Sequence, residues 1–278
     1  MTAHSQTATL TPKTKRAVTV SVWIHDTGAL SSEAIKLACQ TLSIAEIERA
    51  NRFRLSELRR DFIAAHDLLR KALTAHDSRC APQNWMFAPG VYGKPYLDIN
   101  DGQSGSEFSL THTSGVVACA VSTVPVGVDV ELLTPDWDHR EVVQRHFTAA
   151  EAKALSLLSP KLASARFTEI WTLKESFLKA VGCGLSGALD SVSFDVDDSG
   201  RVQYSLPHGY ASKEWKFQLL SPSPNSRLAV ALNSSLPMDL RLCAVKGPAP
   251  ARAQSLLLRA FSQRWIICLS SERCIGAS

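Results

Sequence analysis

Two short stretches hold the residue types that chemistry needs. Val126-Gly127-Val128-Asp129-Val130-Glu131 places two carboxylates two positions apart. Trp171-Thr172-Leu173-Lys174-Glu175-Ser176-Phe177-Leu178-Lys179 adds a third carboxylate and, four positions on, a lysine. Three carboxylates and an ammonium suit a hard divalent cation, Mg²⁺ or Mn²⁺, engaged with a phosphate ester. Each stretch also has a plainer reading. Asp-x-Glu is common on solvated strand faces, and Glu175 with Lys179 has the spacing of a surface ion pair worth about 0.2–0.5 kcal/mol.

The elements that must position these groups are legible from periodicity. The first stretch alternates, so Val126, Val128 and Val130 face a core while Gly127, Asp129 and Glu131 face the other way. Asp129 and Glu131 then stand roughly 7 Å apart, and side chains of different length converge from there on one ion. Gly127 is expected to leave room beside them for a ligand. In the second stretch Ile170, Leu173, Phe177, Ala180 and Val181 recur at helical spacing as a core stripe. Trp171, Glu175 and Lys179 follow at steps of four along a neighbouring stripe, and Gly182 and Gly184 suit a helix C-terminus. Lys174 reads as a surface charge or a phosphate contact.

Four further segments accompany these two: Gly93-Lys94-Pro95-Tyr96, Phe108-Ser109-Leu110-Thr111-His112-Thr113, Phe147-Thr148-Ala149-Ala150-Glu151 and Gly182-Cys183-Gly184-Leu185-Ser186. Taken together and in this order, the six resemble the motifs of the Sfp-type 4′-phosphopantetheinyl transferase family, with Thr111 where that family usually has serine. The resemblance runs from about residue 46 to about residue 235. It implies an α+β fold of two similar α+β halves, a pseudo-dimer within one chain, with the active site and coenzyme A in the cleft between them. A weak internal repeat agrees: Leu68–Leu73 is echoed by Phe177–Val181, and Gly115–Val121 by Arg227–Leu232, at nearly equal offsets.

The resemblance also implies a reaction. The 4′-phosphopantetheine arm passes from coenzyme A to a serine of an acyl or peptidyl carrier protein, leaving 3′,5′-ADP. Asp129, Glu131 and Glu175 would hold Mg²⁺, or Mn²⁺ in its place, and Lys179 would meet the departing phosphate. Either Glu151 or Glu175 acting through a water would take the serine proton. For Glu151 a capping box with Thr148 is the equal alternative. Coenzyme A contacts are expected from Arg49, Arg60, Lys94, Thr111, His112, Asp129 and Lys179. Arg49 and Arg60 come from a basic helical region, Ile44 to Leu73, with Phe53, Phe62, Leu69 and Leu73 as its apolar face. They are the candidates for the 3′-phosphate. A basic residue that the family sometimes carries before the Gly-Lys-Pro strand falls near Met86, so that contact is missing. His112 would be a core residue beside Phe108 and Leu110 on a straight strand, and a phosphate contact if the strand bends or ends at Thr111.

With 278 residues, 45% of them apolar, the chain can bury one large core or two small ones. The expected organisation is a flexible tail over 1–16, an N-terminal half over 17–124, a C-terminal half over 125–245, and an extension over 246–278. In the extension, Leu256, Leu257, Ala260, Phe261, Trp265 and Ile266 have the pattern of an amphipathic helix. A net charge of +4 favours acidic ligands without demanding a nucleic-acid partner. No apolar run is long enough to span a membrane. Seven scattered cysteines without a Cys-x-x-Cys pair fit reduced thiols. The expectation is a cytoplasmic monomer. Two other classes compete, a different Mg²⁺-dependent phosphotransfer enzyme and a non-catalytic module binding carrier protein or coenzyme A. The pathway served, whether fatty acid, polyketide, nonribosomal peptide or lysine synthesis, is open.

Overall fold

The computed structural model describes residues 16–90, 94–98, 105–134, 138–182, 189–211, 213–243 and 267–268. The extension's amphipathic pattern and the N-terminal tail lie outside the described residues, apart from Arg16 and Ile267–Cys268.

Two long helices dominate, and each follows a strand and precedes an antiparallel pair. Strand β1 (Val18–Asp26) leads through helices α1 (Ser32–Cys39) and α2 (Ile44–Asn51) to α3 (Ser56–His76). A small hairpin of β2 (Phe87–Pro89) and β3 (Pro95–Leu97) comes next, and then the pair β4 (Glu107–Thr113) and β5 (Val116–Ser122). The plan then repeats. Strand β6 (Val126–Leu132) leads through α4 (Arg140–His146) and α5 (Ala149–Ser156) to α6 (Pro160–Val181). The hairpin β7 (Ser193–Val196) and β8 (Val202–Ser205) and a short α7 (His208–Ala211) precede the pair β9 (Trp215–Leu220) and β10 (Ser226–Asn233). Strands β11 (Met238–Cys243) and β12 (Ile267–Cys268) finish the chain's described part. The echoing strings of the sequence fall on α3 and α6 and on β5 and β10.

The strands form a five-stranded sheet, β12-β11-β1-β5-β4, and a three-stranded sheet, β6-β10-β9. Alternation sorts their side chains into three cores. Val117, Cys119 and Val121 of β5 meet Leu68, Leu69 and Leu73 of α3. Ala229 and Ala231 of β10 meet Ile170, Leu173 and Phe177 of α6. Between the sheets, Val20, Val22, Ala118 and Ala120 face Val126, Val128, Val130, Leu228 and Val230. The molecule is therefore layered helix, sheet, sheet, helix, and each sheet is buried on both faces. Strand β11 comes from the second half in chain order but pairs in parallel with β1, Val20 opposite Leu240, which ties the halves together.

Local chemistry explains the element ends. Helices α2 and α5 each open on a capping box, Ser43 with Glu46 and Thr148 with Glu151. Helix α6 has Pro160 in its first turn and stops at Gly182, whose φ of 80° is the left-handed cap that a side chain would strain.

Candidate active site

The acidic face of β6 is covered by α6, and Gly127 is the point of contact. A Cβ built on Gly127 collides with the Ser176 carbonyl oxygen and stands 2.5 Å from Ala180 N. The expectation that Gly127 makes room for a ligand is therefore corrected. The space is taken by the α6 backbone, and the close approach is what brings Glu175 and Lys179 alongside Asp129.

Asp129 is buried, 3% exposed. Its Oδ1 accepts from Lys179 Nζ at 2.6 Å and from Thr111 Oγ1 at 2.8 Å, and Lys179 Nζ also donates to Thr111 Oγ1 at 3.0 Å. Lys179 thus pairs with Asp129 across the β6–α6 interface, not with Glu175 one turn back. Thr111 reaches this triad from β4, beside which Ser109 Oγ accepts the Val128 N–H at 3.0 Å. Burial and the neighbouring Asp129 push the Glu131 carboxyl up to about 7, against Lys179 and a hydrogen bond from Trp171. Burial and Asp129 also raise Glu175. Asp129 thus makes both glutamates costlier to ionise, and Glu175 adds to the effect at Glu131.

A cleft of about 610 Å³ opens beside this cluster. Phe62, Leu69, Phe87, Phe108 and Leu110 supply apolar wall, and Glu46, Arg49, His66, Lys94, His112, Glu175 and Lys179 supply polar groups. Such a mixture accepts an extended ligand with apolar parts and anionic groups.

Comparison with known proteins settles the lineage. Residues 125–232 match the model of the 4′-phosphopantetheinyl transferase superfamily. A 4′-phosphopantetheinyl transferase of Bacillus subtilis is 30% identical over 168 residues, 57% of this chain and 73% of that one. The 4′-phosphopantetheinyl transferase HetI of Nostoc sp. is 31% identical over 194 residues, 69% of this chain and 78% of its own. The chain belongs to the 4′-phosphopantetheinyl transferase family. The transferase Sfp of Bacillus subtilis strain 168 is 28% identical over 178 residues, 63% of this chain and 76% of its own.

Seen in this transferase, the expected site residues divide. Arg49, Lys94, His112, Glu175 and Lys179 line the cleft. Asp129 and Thr111 sit directly behind Lys179, and Glu131 lies on the same strand face as Asp129. Lys94 Nζ is tied to the backbone carbonyls of Val126, at 3.3 Å, and Lys179, at 2.6 Å, so its ammonium clamps β6 to the end of α6. His112 is exposed at the end of an unbroken β4. It shares a face with Phe108 and Leu110 as a straight strand requires, but that face opens on the cleft instead of a closed core. Partial enclosure and then Lys179 hold its pKa below the ordinary value.

Two residues fall elsewhere. Arg60 is not on the cleft wall; its Nε lies 3.6 Å from Asp61, with no hydrogen-bond partner among the described residues. Glu151 is 5% exposed and fully engaged. Its Oε2 accepts from Thr148 N at 2.7 Å and pairs with Lys174 Nζ at 2.9 Å, and its Oε1 accepts from Phe194 N at 2.9 Å. The capping box is present, and no oxygen is left to act as a base. Lys174 is no surface charge either: it is fully buried, also donates to the Leu189 and Val192 carbonyls, and sits 5.1 Å from the Phe147 ring centroid.

The residues fit a hard cation in type. Asp129 Oδ2 is buried without a hydrogen-bond partner among the described residues, and a lone anionic oxygen there is costly unless a ligand meets it. Among the described residues no three His, Cys, Asp or Glu side chains form a ready-made cage. Mg²⁺ does not need one, since it keeps waters and takes substrate phosphates with one or two carboxylates. The sequence reading missed Glu46 and His66, on the cleft's first-half wall, and buried Arg70 behind them; the signal was the Ser43-x-x-Glu46 box and the i, i+4 spacing of His66 and Arg70. None of the described helices is long and apolar enough to cross a membrane.

Proposed function

We propose that this transferase moves the 4′-phosphopantetheine arm of coenzyme A to a serine hydroxyl of an acyl or peptidyl carrier protein, releasing 3′,5′-ADP. The observation that carries the reading is the meeting of Glu175 and Lys179 on the wall of the cleft with buried Asp129 behind them. Homology to proteins named for this transfer supports it. Asp129, Glu131 and Glu175 would hold Mg²⁺, which supplies charge neutralisation on the pyrophosphate. The serine oxygen bonds to the β-phosphorus, and the bridging oxygen leaves with its electron pair as the 5′-phosphate of 3′,5′-ADP. Lys179 stands ready as the donor to that phosphate, held now by Asp129 and Thr111. Glu175, the one of the two expected bases on the cleft wall, takes the serine proton through a water. Its raised pKa fits that task.

The test is incubation with coenzyme A, an apo carrier protein and Mg²⁺, followed by mass spectrometry of the carrier. One phosphopantetheine gained per carrier, lost in excess chelator, is the expected result. An unmodified carrier across fatty acid, polyketide and peptide types refutes the reading, and full turnover in chelator refutes the metal.

A further inference from the structure

The contact between α6 and β6 is fixed at two points, and the second comes from the other half of the molecule. Gly127 fixes the first, against Ser176 and Ala180. The second is Lys94, on the connection between β2 and β3. Its Nζ donates to Lys179 O at 2.6 Å and to Val126 O at 3.3 Å. Val126 opens the strand that carries Asp129, and Lys179 lies in the last turn of the helix. One nitrogen therefore joins the strand of the carboxylate to the turn of the cation that pairs with it.

The end of α6 is where such a hold matters, because carbonyls in the last turn of a helix lack intrahelical donors. Gly182 N donates to Leu178 O at 2.8 Å, and Gly182 itself is left-handed and ends the helix. The next carbonyl along is that of Lys179, and among the described residues its donor is Lys94. An ammonium at this point also opposes the negative end of the helix dipole. The Lys94 stem runs past the helix stop, its Cδ 3.7 Å from where a Cβ on Gly182 would stand. Lys94 is itself firmly mounted. Its carbonyl accepts from Gly90 N at 2.9 Å, closing the hairpin, and a Cβ on Gly90 would collide with that oxygen. Phe87 of the hairpin packs edge-on against Phe108 of β4, with ring centroids 5.5 Å apart.

We propose that Lys94 is a positioning residue for the transfer: it holds the last turn of α6 on β6, so that the Lys179 ammonium stays where Asp129, Thr111 and the cleft meet. The assignment rests on the transferase reading above and gives Lys94 a task other than contact with coenzyme A. Two of the three N–H groups of its ammonium are spent on the two carbonyls. Loss of the hold lets the turn that carries Lys179 move against Asp129, and a misplacement of about 1 Å costs roughly a hundred-fold in rate. The effect falls on the transition state, where Lys179 meets the leaving phosphate, and little on the binding of coenzyme A.

Two measurements on the full chain test it. Lys94→Met keeps the stem and removes the ammonium. Well below its melting temperature it should transfer phosphopantetheine with kcat lowered about ten-fold or more, while the Kd for coenzyme A, by calorimetry, stays within about two-fold of the wild type. NMR of the wild type avoids any folding defect of a variant. Nitrogen–carbon coupling across the hydrogen bond from Lys94 Nζ to the Lys179 carbonyl should be present in the free protein and persist when coenzyme A is added. An unchanged kcat in folded Lys94→Met overturns the assignment, whatever the change in melting temperature. So does a Kd weakened about ten-fold at unchanged kcat, or a coupling lost as coenzyme A binds, since either makes Lys94 a ligand contact. A wild type that transfers no phosphopantetheine overturns the transferase reading and this assignment with it.

Discussion

Gly127→Ala is the most informative single perturbation, because a ligand role and a packing role for this glycine predict opposite results. The added methyl meets backbone on two sides, the Ser176 carbonyl and Ala180 N, and backbone cannot rotate away. Moving Ala180 N from 2.5 Å to an ordinary 3.4 Å contact takes about 0.9 Å of α6 displacement, and the nearer Ser176 oxygen demands more. Overpacking of this kind costs about 1–3 kcal/mol. At about 2–4 °C per kcal/mol for a domain of this size, the melting temperature should fall by roughly 2–12 °C. The same shift moves Glu175 and Lys179 off Asp129, and a misplacement of about 1 Å costs roughly a hundred-fold in rate. The assay pairs thermal unfolding with phosphopantetheine transfer measured well below the transition. A variant with unchanged melting temperature, unchanged kcat and a raised KM for coenzyme A would refute the packing argument and restore the view that Gly127 makes space for ligand.

Three further outcomes follow from the site. Lys179→Ala should lower kcat at least a hundred-fold while the Kd for coenzyme A, by calorimetry, stays within a few-fold, since a donor aimed at the leaving phosphate acts on the transition state; unchanged kcat removes Lys179 from the mechanism. Glu151→Gln leaves Lys174 a buried cation without its carboxylate, and loss of a partner in such a pair costs about 3–5 kcal/mol, so unfolding should occur at markedly lower denaturant while kcat of the folded enzyme stays within a few-fold; a kcat collapse at unchanged stability would make Glu151 the base after all. Glu46 is held at about 2 against an ordinary 4.5, so its contribution to stability is fully present above 4.5 and lost as pH falls from there towards 2. Glu46→Gln should therefore lower the melting temperature at neutral pH and converge with the wild type near pH 2–3; a constant offset from pH 7 to pH 3 would show that the ionised carboxylate is not what Glu46 contributes.

Much of this protein is decided by order along the chain. Alternation in Val126–Glu131 and the 3.6-residue stripe through Ile170, Leu173 and Phe177 follow from backbone geometry alone, so which residues share a face was legible before any fold. The same holds for the Gly182 stop, for the Thr148–Glu151 box, and for the two-half plan announced by echoing strings. The family's six motifs were likewise present as strings. What only tertiary structure decided is who meets whom. Glu175 and Lys179 look like partners because they are one turn apart, yet Lys179 turns to Asp129, fifty positions earlier in the chain, because Gly127 lets α6 lie on β6. Lys174 looks like a surface charge, and Arg60 like a phosphate ligand, because residue type carries no information about which side of a helix the rest of the molecule covers. His66 drew no notice in the sequence, since its meaning comes from Glu46 on another helix and from a cleft wall. Short-range periodicity is a property of the backbone, whereas pairing across elements depends on packing that no local pattern encodes.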